Sequence, residues 1–305
     1  MKIFKYLIMF FSFIVLFSCI IFVFALFLFN KDGSKGKNLI AVIDLKGIIV
    51  NKDSEGDSEV INSYYILKVL DKIQEDKNYK GVLLIIDSPG GVAAPSVEIS
   101  YKVRKISKEK PVVAYIENLG ASGAYYIASS CNYIIANPES IIGSIGVIIT
   151  VPKVYKALDK IGIDFVAIKS GKYKDSLSPF KPMNNEEKQY IQNLVMDAYY
   201  QFVRDVSENR KIAISELYKI ADGRVFSPNT AKKYKLIDEI GTFDDAKNKI
   251  KNIINIKDLQ FKEIKPPKKR LLDRLLGENL NFNDYNTYIK RYLNYFNYQL
   301  WMISQ

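Results

Sequence analysis

Apolar runs of strand length, each followed by a helical pattern, constrain the fold of this 305-residue chain more than any other feature. Gly81–Asp87 is a continuous apolar run, typical of a buried parallel strand, and it ends at the turn Ser88-Pro89-Gly90-Gly91. A helix is predicted from about Ala94 to Ile106, and a second apolar run, Val112–Ile116, follows it. Strands that alternate with helices predict an α/β fold with repeated crossovers.

The same patterns divide the chain into four parts. Residues 1–30 are apolar, 31–38 form a short flexible linker, 39–265 form one globular domain, and 266–305 form a basic and aromatic tail of helical character. Hydrophobic residues make up 48% of the chain, which is enough for a substantial core. Further strands are predicted near 39–45, 47–50, 133–136, 146–150 and 165–169, and further helices over 61–73, 152–161, 184–208, 214–220, 228–234 and 244–253.

The N-terminal apolar part predicts a single-pass membrane anchor. The run from Tyr6 to Phe29 carries no charge and is longer than the roughly 20 residues that span a bilayer. A cleaved signal peptide has a shorter apolar region and a small-residue cleavage site. Lipidation at Cys19 is the alternative, but the chain stays apolar beyond it, where a lipoprotein turns polar. Lysines flank both ends of the run, so charge alone leaves the orientation open.

Charge and composition argue against several classes of partner. The net charge of +11 is spread over isolated lysines, and Lys268-Lys269-Arg270 is the longest basic stretch, so we predict no nucleic-acid partner. The chain has no histidine and only two cysteines, which argues against a zinc site. We predict no metal and no cofactor, and we interpret the acidic cluster in residues 53–59 as a solvated loop.

Ser122 is the candidate nucleophile, at a point where a buried strand gives way to a helix of small residues. Serine needs a base to take its proton, and without imidazole the leading candidate is a neutral lysine. The backbone N–H of Gly123 is placed to stabilise an oxyanion, and Gly90 or Gly91 offers the second N–H. In isolation, Ser122 is more simply interpreted as a helix N-cap.

The segment Lys169-Ser170-Gly171-Lys172-Tyr173-Lys174-Asp175 offers several lysines. A free lysine has a pKa near 10.4, and a lysine that acts as a base at pH 7 needs that value lowered by roughly three, about 4 kcal/mol, through burial in an apolar site. Most lysines in such a chain are solvated, so this segment is only a weak signal alone.

Five ordered motifs together resemble the short form of the signal peptide peptidase A (SppA) family of Ser-Lys serine proteases. They are Asp-Ser-Pro-Gly-Gly, Gly-Ala-Ser-Gly-Ala-Tyr-Tyr-Ile-Ala, Ile-Gly-Ser-Ile-Gly-Val, Lys-Ser-Gly-Lys-Tyr-Lys-Asp and Ala-Asp-Gly-Arg-Val-Phe. The resemblance runs from about Leu39 to Phe243 and makes residues 39–265 an SppA-like protease domain. It implies the superhelical β-β-α fold shared by Clp-type proteases and crotonases, behind an N-terminal transmembrane helix.

The resemblance also implies the role of each site residue. Ser122 becomes the nucleophile, Lys174 the general base and Ser144 the hydroxyl that orients the lysine. Gly91 and Gly123 match the oxyanion-hole positions, with the choice between Gly90 and Gly91 open. Asp175 follows the base and is expected to help position it.

For the whole protein, the resemblance implies a membrane-anchored endopeptidase that degrades hydrophobic peptides such as cleaved signal peptides. It implies a dome-shaped homo-octamer in which the lysine of one subunit serves the serine of its neighbour. It further implies a place in a bacterial cell membrane, with the catalytic domain outside the cytoplasm.

Three other functions stay open from the sequence. The first is a Ser-Lys membrane protease of the same superfamily with a regulatory duty. The second is a catalytically silent membrane scaffold of this fold. The third is a crotonase-type acyl-CoA enzyme, which would use the glycine oxyanion hole but needs neither the serine–lysine pair nor an anchor.

Overall fold

The computed structural model describes residues 38–51 and 60–265, together with Phe17, Ser18 and Ile21 in helical conformation. The rest of the predicted anchor, the acidic loop and the aromatic tail lie outside the described residues. Within the part of the chain that is described, no helix is long and apolar enough to cross a membrane.

Strands and helices alternate along the described ranges. The strands are β1 (Leu39–Lys46), β2 (Ile48–Val50), β3 (Val60–Asn62), β4 (Tyr79–Ser88), β5 (Val112–Ala121), β6 (Tyr133–Ala136), β7 (Ile141–Gly143), β8 (Val225–Phe226), β9 (Glu239–Ile240) and β10 (Gln260–Ile264). The helices are α1 (Ser63–Glu75), α2 (Ala93–Ile106), α3 (Gly123–Ser129), α4 (Tyr155–Lys160), α5 (Asn185–Arg210), α6 (Ile214–Tyr218), α7 (Pro228–Lys233) and α8 (Phe243–Ile254).

The main sheet has the strand order β10-β1-β4-β5-β6-β9, and every neighbouring pair along this path is parallel. β7 adds to the far end of β5 in parallel and pairs with β8 in antiparallel orientation, while β2 and β3 form a separate two-stranded sheet. The prediction of an α/β fold is confirmed. Because parallel strands all end at one edge, the turns after β4, β5 and β7 meet there.

Both faces of the sheet are covered by helices. On one face, α1, α2 and α3 bury an aliphatic layer that includes Leu70 and Ile99. On the other face, Ala246 and Ile250 of α8 pack over Leu83 and Val113. Central strands buried on both faces explain the continuous apolar runs in the sequence, because neither face of such a strand meets water.

Two predicted strands are wrong. Residues 146–150 and 165–169 form no strand, and most of their apolar side chains face solvent in the single chain, with Ile148 83% and Ile168 99% exposed. β-branched apolar residues favour a strand only where a pleated, half-buried surface is available, and no sheet neighbour is present here. Conversely, β8, β9 and β10 were not predicted, because two of them are only two residues long and β10 is largely polar.

Candidate active site

Ser122 occupies a strained turn between β5 and α3. Its backbone has φ 52° and ψ −123°, and its side chain makes no capping hydrogen bond. Such a conformation costs a non-glycine residue of order 1–3 kcal/mol and persists only where the surroundings enforce it. Ser122 is the N-cap residue of α3 by position, but its hydroxyl does not bond the helix that it precedes, so capping does not account for the serine side chain. A strained serine at the end of a central strand, with a free hydroxyl, is the geometry of a nucleophile elbow.

Strand pairing brings Ser144 beside Ser122. β5 and β7 are parallel with Ala121 opposite Gly143, so the two serines leave the sheet edge at the same level and on strands about 4.8 Å apart. The Ser122 N–H donates to the Gly143 carbonyl at 2.8 Å. Ser144 has the same φ of 52°, and its N–H donates to the Arg224 carbonyl at 2.9 Å.

The Gly-Gly pair after β4 packs directly against the serine turn. A Cβ added to Gly90 would lie 2.7 Å from the Gly123 nitrogen and 2.9 Å from the Ser122 Cβ. The Gly90 N–H is already used, because it donates to the Ser88 Oγ at 3.1 Å. Gly91 forms a parallel bridge with Ile49 in which the neighbouring Gly90 carbonyl and Val92 N–H make the bonds, so its own N–H points away from Ile49.

Two backbone N–H groups are thus available next to the serine. Gly123 holds the first helical position of α3, where an N–H has no acceptor within the helix. Among the described residues, no backbone or side-chain acceptor pairs with the N–H of Gly91 or of Gly123. This arrangement favours Gly91 over Gly90 as the second oxyanion donor, because the Gly90 N–H is occupied.

Lys174 lies on a different part of the chain. We call residues 147–183 the arm, and Lys174 is an exposed residue in a turn within it. Within the described ranges, no hydrogen bond or ion pair joins the arm to the sheet, and the Lys174 Nζ has no such partner. The parallel strands of a single chain therefore bring the turns that carry Ser122, Ser144, Gly91 and Gly123 to one edge of the sheet. Among the described residues, no hydrogen bond or ion pair links Lys174 to them.

Asp175 serves the arm itself. Its carboxylate pairs with Lys169 and, at 3.7 Å, with Lys181. The bond from Lys169, followed by the charge of Lys181, lowers the pKa of Asp175. The carboxylate thus holds two other lysines of the arm and makes no hydrogen bond to Lys174 among the residues described.

The arm is attached to the first turn of α5. Tyr173 and Lys172 bond Glu186, and Lys181 pairs with Glu187. Asn184 and Glu187 form a reciprocal capping box that starts the helix. These side-chain bonds therefore tie the lysine-bearing turn to the start of α5.

Sequence analysis missed two contributors to this site. The motif Ala-Asp-Gly-Arg-Val-Phe supplies β8, and the Arg224 carbonyl in it fixes the Ser144 turn. Tyr126, one turn after Ser122, donates its hydroxyl to the buried Asp205 of α5. The motif that contains Arg224 was recognised in the sequence, but no role was assigned to it. The bond between Tyr126 and Asp205 could not be predicted, because these residues are far apart in sequence.

Comparison with known proteins identifies the family. Residues 104–257 match the model of Peptidase family S49, which is about half of the chain. A protein of Enterococcus faecium named after signal peptide peptidase SppA is 36% identical over 238 residues, covering 77% of this chain and 69% of that protein. Protease 4 of Haemophilus influenzae is 32% identical over 219 residues, covering 72% of this chain and 35% of that protein.

An archaeal relative shows higher identity over a shorter stretch. A protein of Methanocaldococcus jannaschii named as a protease is 43% identical over 199 residues, which covers 65% of this chain and 64% of that protein. The chain thus spans just under two thirds of the length of that relative. The family match includes the serine turn, the Ser144 turn and the arm, and the chain belongs to peptidase family S49.

Proposed function

We propose that this protein is a serine endopeptidase with a Ser-Lys dyad, in which Ser122 is the nucleophile and Lys174 the general base. One observation carries the proposal: the strained Ser122 turn leaves the hydroxyl uncapped, next to the Gly123 N–H and to the Gly90-Gly91 turn. Among the described residues, the N–H groups of Gly91 and Gly123 have no acceptor. In a chain without histidine, a neutral lysine is the leading candidate to take the proton of that hydroxyl.

In the first half of the reaction, the neutral Lys174 Nζ takes the proton of the Ser122 hydroxyl. The serine oxygen then bonds to the carbonyl carbon of the substrate, and the negative charge that develops on the carbonyl oxygen is held by the two glycine N–H groups. When the tetrahedral species collapses, the C–N bond breaks and the lysine ammonium protonates the leaving amine. An acyl-enzyme remains on Ser122.

In the second half, water replaces the amine. Lys174 takes a proton from the water as its oxygen attacks the acyl carbon, and the same N–H groups stabilise the second tetrahedral species. Collapse breaks the bond to the serine oxygen, which recovers its proton from the lysine. The Ser144 hydroxyl, beside Ser122 at the sheet edge, is expected to accept a hydrogen bond from the lysine and hold it in line.

We further propose that the lysine comes from a neighbouring subunit of a dome-shaped homo-octamer. Two observations support this: the arm makes no polar contact with its own sheet among the residues described, and it presents apolar side chains to solvent, including Val166 at 87% exposure. Packing against a second copy would bury those side chains and exclude water around the lysine, which favours the neutral amine.

The proposed setting is a bacterial cell membrane. Residues 1–30 would be a single-pass anchor that holds the catalytic domain outside the cytoplasm. That domain would have the ClpP/crotonase type of fold and would lie beside the bilayer. The expected substrates are hydrophobic, unfolded peptides such as cleaved signal peptides, which the name of the E. faecium relative supports. A regulatory protease with the same dyad is the second candidate, since both would share this serine turn.

The test uses the full-length protein in detergent with a hydrophobic fluorogenic peptide. Ser122→Ala and Lys174→Ala should each abolish cleavage and leave the oligomer intact. Co-expression of the two variants should restore part of the activity, because some interfaces then combine an intact serine with an intact lysine. Lys172→Ala, which removes a charge from the same turn, is the matched control and should retain activity.

Two results would count against the proposal. No recovery on co-expression would argue against a base supplied by the neighbour. Failure of a fluorophosphonate to label Ser122 in the wild type would argue against the nucleophile itself, and would favour the silent scaffold or the acyl-CoA enzyme.

A further inference from the structure

Asp205 is a buried carboxylate behind the serine turn. It lies on α5, is only 4% exposed, and faces α2 and α3. One of its oxygens, Oδ2, accepts hydrogen bonds from Tyr126, from the Gln201 Nε2 at 2.8 Å and from Tyr101 at 3.3 Å, while the Arg104 Nη1 lies 3.9 Å from Oδ1. Burying a carboxylate is costly unless it is bonded in this way.

Tyr126 connects this carboxylate to the serine. It lies in α3, and its backbone N–H donates to the Ser122 carbonyl at 2.9 Å. Its ring packs edge-on against Phe202 of α5, with the centroids 4.6 Å apart. Burial, reinforced by the Asp205 carboxylate, raises the pKa of the Tyr126 hydroxyl, so it remains a protonated donor at neutral pH.

We infer that Asp205 is a positioning residue, which acts through Tyr126 to fix the first turn of α3 and with it the Ser122 hydroxyl and the Gly123 N–H. A strained serine turn persists only where its surroundings enforce it. Strand β7 and the Gly90 contact hold the strand side of the turn, and the bond from Tyr126 to Asp205 holds the helix side. The inference rests on the proposed role of Ser122.

A purely structural role would give a different pattern. Asp205 also bonds Tyr101 of α2, so it could serve only to join α2 to α5. In that case, removing either tyrosine hydroxyl would have a similar effect. If Asp205 positions the serine, only the hydroxyl of Tyr126 should matter for the chemistry of Ser122.

The test compares Tyr126→Phe with Tyr101→Phe in the full-length protein in detergent. Each substitution removes one tyrosine hydroxyl that donates a hydrogen bond to the Asp205 carboxylate. The measurements are the rate at which a fluorophosphonate acylates Ser122, and kcat and KM for a hydrophobic peptide. We expect Tyr126→Phe to lower the acylation rate and kcat by about tenfold or more with little change in KM, because small misplacements of a reacting group are costly. Tyr101→Phe should stay within about twofold of the wild type.

Asp205 variants separate geometry from charge. Asp205→Ala should slow acylation at least as much as Tyr126→Phe, and combining the two should add little, since both remove one interaction. Asp205→Asn keeps an oxygen that can accept from Tyr126 and should recover most of the rate. Hydrogen exchange at the backbone amides of residues 122–126 should be faster in Tyr126→Phe than in Tyr101→Phe.

Three outcomes would overturn the inference that Asp205 positions the serine turn. Equal acylation rates in the wild type and Tyr126→Phe would remove the link to the serine. Loss of the oligomer in Tyr126→Phe would show that the bond supports assembly instead. Absence of labelling in the wild type would instead overturn the proposed nucleophile, and the positioning role would fall with it.

Discussion

At the residue scale, Gly90 packs directly against the backbone of the serine turn. A methyl group there would approach the Ala121 carbonyl oxygen to 2.9 Å and the Gly123 nitrogen to 2.7 Å, and the backbone has a φ of +95°. Both contacts are with backbone, which cannot rotate away as a side chain can. We expect Gly90→Ala to displace the turn and to lower peptide hydrolysis by about 100-fold.

Gly162→Ala is the control for this prediction. Gly162 also has a positive φ, of +71°, but an added Cβ would have nothing within 4 Å. The substitution should cost about 1 kcal/mol of backbone strain without crowding any neighbour. Thermal unfolding and peptide hydrolysis measured on both variants separate strain from crowding, and equal activities would contradict the crowding argument.

Also at the residue scale, the sequence predicts which turns meet at the sheet edge better than it predicts how each turn is held. Ser122, Ser144, Gly91 and Gly123 come from motifs that each follow a strand, and the parallel register brings the ends of those strands together. The strain at Ser122 and the partner Asp205 could not be predicted, because φ angles and contacts between distant residues depend on the assembled fold.

At the scale of elements, buried strands were the most predictable parts. β4 and the first half of β5 are continuous apolar runs, as expected of strands covered on both faces. Predictions over 146–150 and 165–169 failed, because apolar, β-branched segments can also form an exposed surface. The spacing of apolar residues along the sequence does not distinguish a buried strand from an exposed apolar segment.

The first turn of α5 gives a prediction on pH. The bond from Lys181, followed by that from the Asn184 N–H, lowers the pKa of Glu187. A carboxylate with a lowered folded pKa stabilises the protein above its unfolded pKa, about 4.3, and this contribution is lost as the pH falls through the folded pKa. Glu187→Gln should therefore lower the thermal midpoint at pH 7, and the difference from the wild type should vanish under acidic conditions.

Glu186→Gln is the matched control for that experiment. Glu186 pairs with Lys172, but both side chains are more than half exposed, at 54% and 59%. Exposed ion pairs contribute little to stability, so this variant should change the midpoint much less at every pH. If the difference in thermal midpoint between Glu187→Gln and the wild type stayed constant with pH, the charge of Glu187 would not be involved.

At the scale of the whole molecule, the distribution of apolar surface is uneven. The sheet and its helices bury most of their aliphatic side chains and leave others about half exposed, whereas the arm exposes Ile148, Val166 and Ile168 almost completely. Burying one such side chain contributes about 1.5–3 kcal/mol, so several of them provide a substantial driving force for association. Exposed apolar surface on the same segment as the proposed base would connect the proposed assembly with catalysis.

This connection gives a prediction for the proposed oligomer. Ile168→Asp places a charge on the arm where a neighbouring copy would pack, and an unpaired charge is costly to bury. We expect the variant to dissociate into subunits that keep their fold and lose peptide hydrolysis, because each Ser122 then lacks the lysine of its neighbour. Sedimentation velocity in detergent measures whether the subunits assemble, and circular dichroism measures whether they keep their fold.

Ile256→Asp provides the comparison, since Ile256 is an exposed isoleucine outside the arm, between α8 and β10. It should retain both the oligomer and the activity. If Ile168→Asp also remained assembled and active, the arm would not be the interface. If instead it became monomeric and stayed active, Lys174 would have to reach the serine of its own chain, and the shared site would be excluded while Ser122 kept its role.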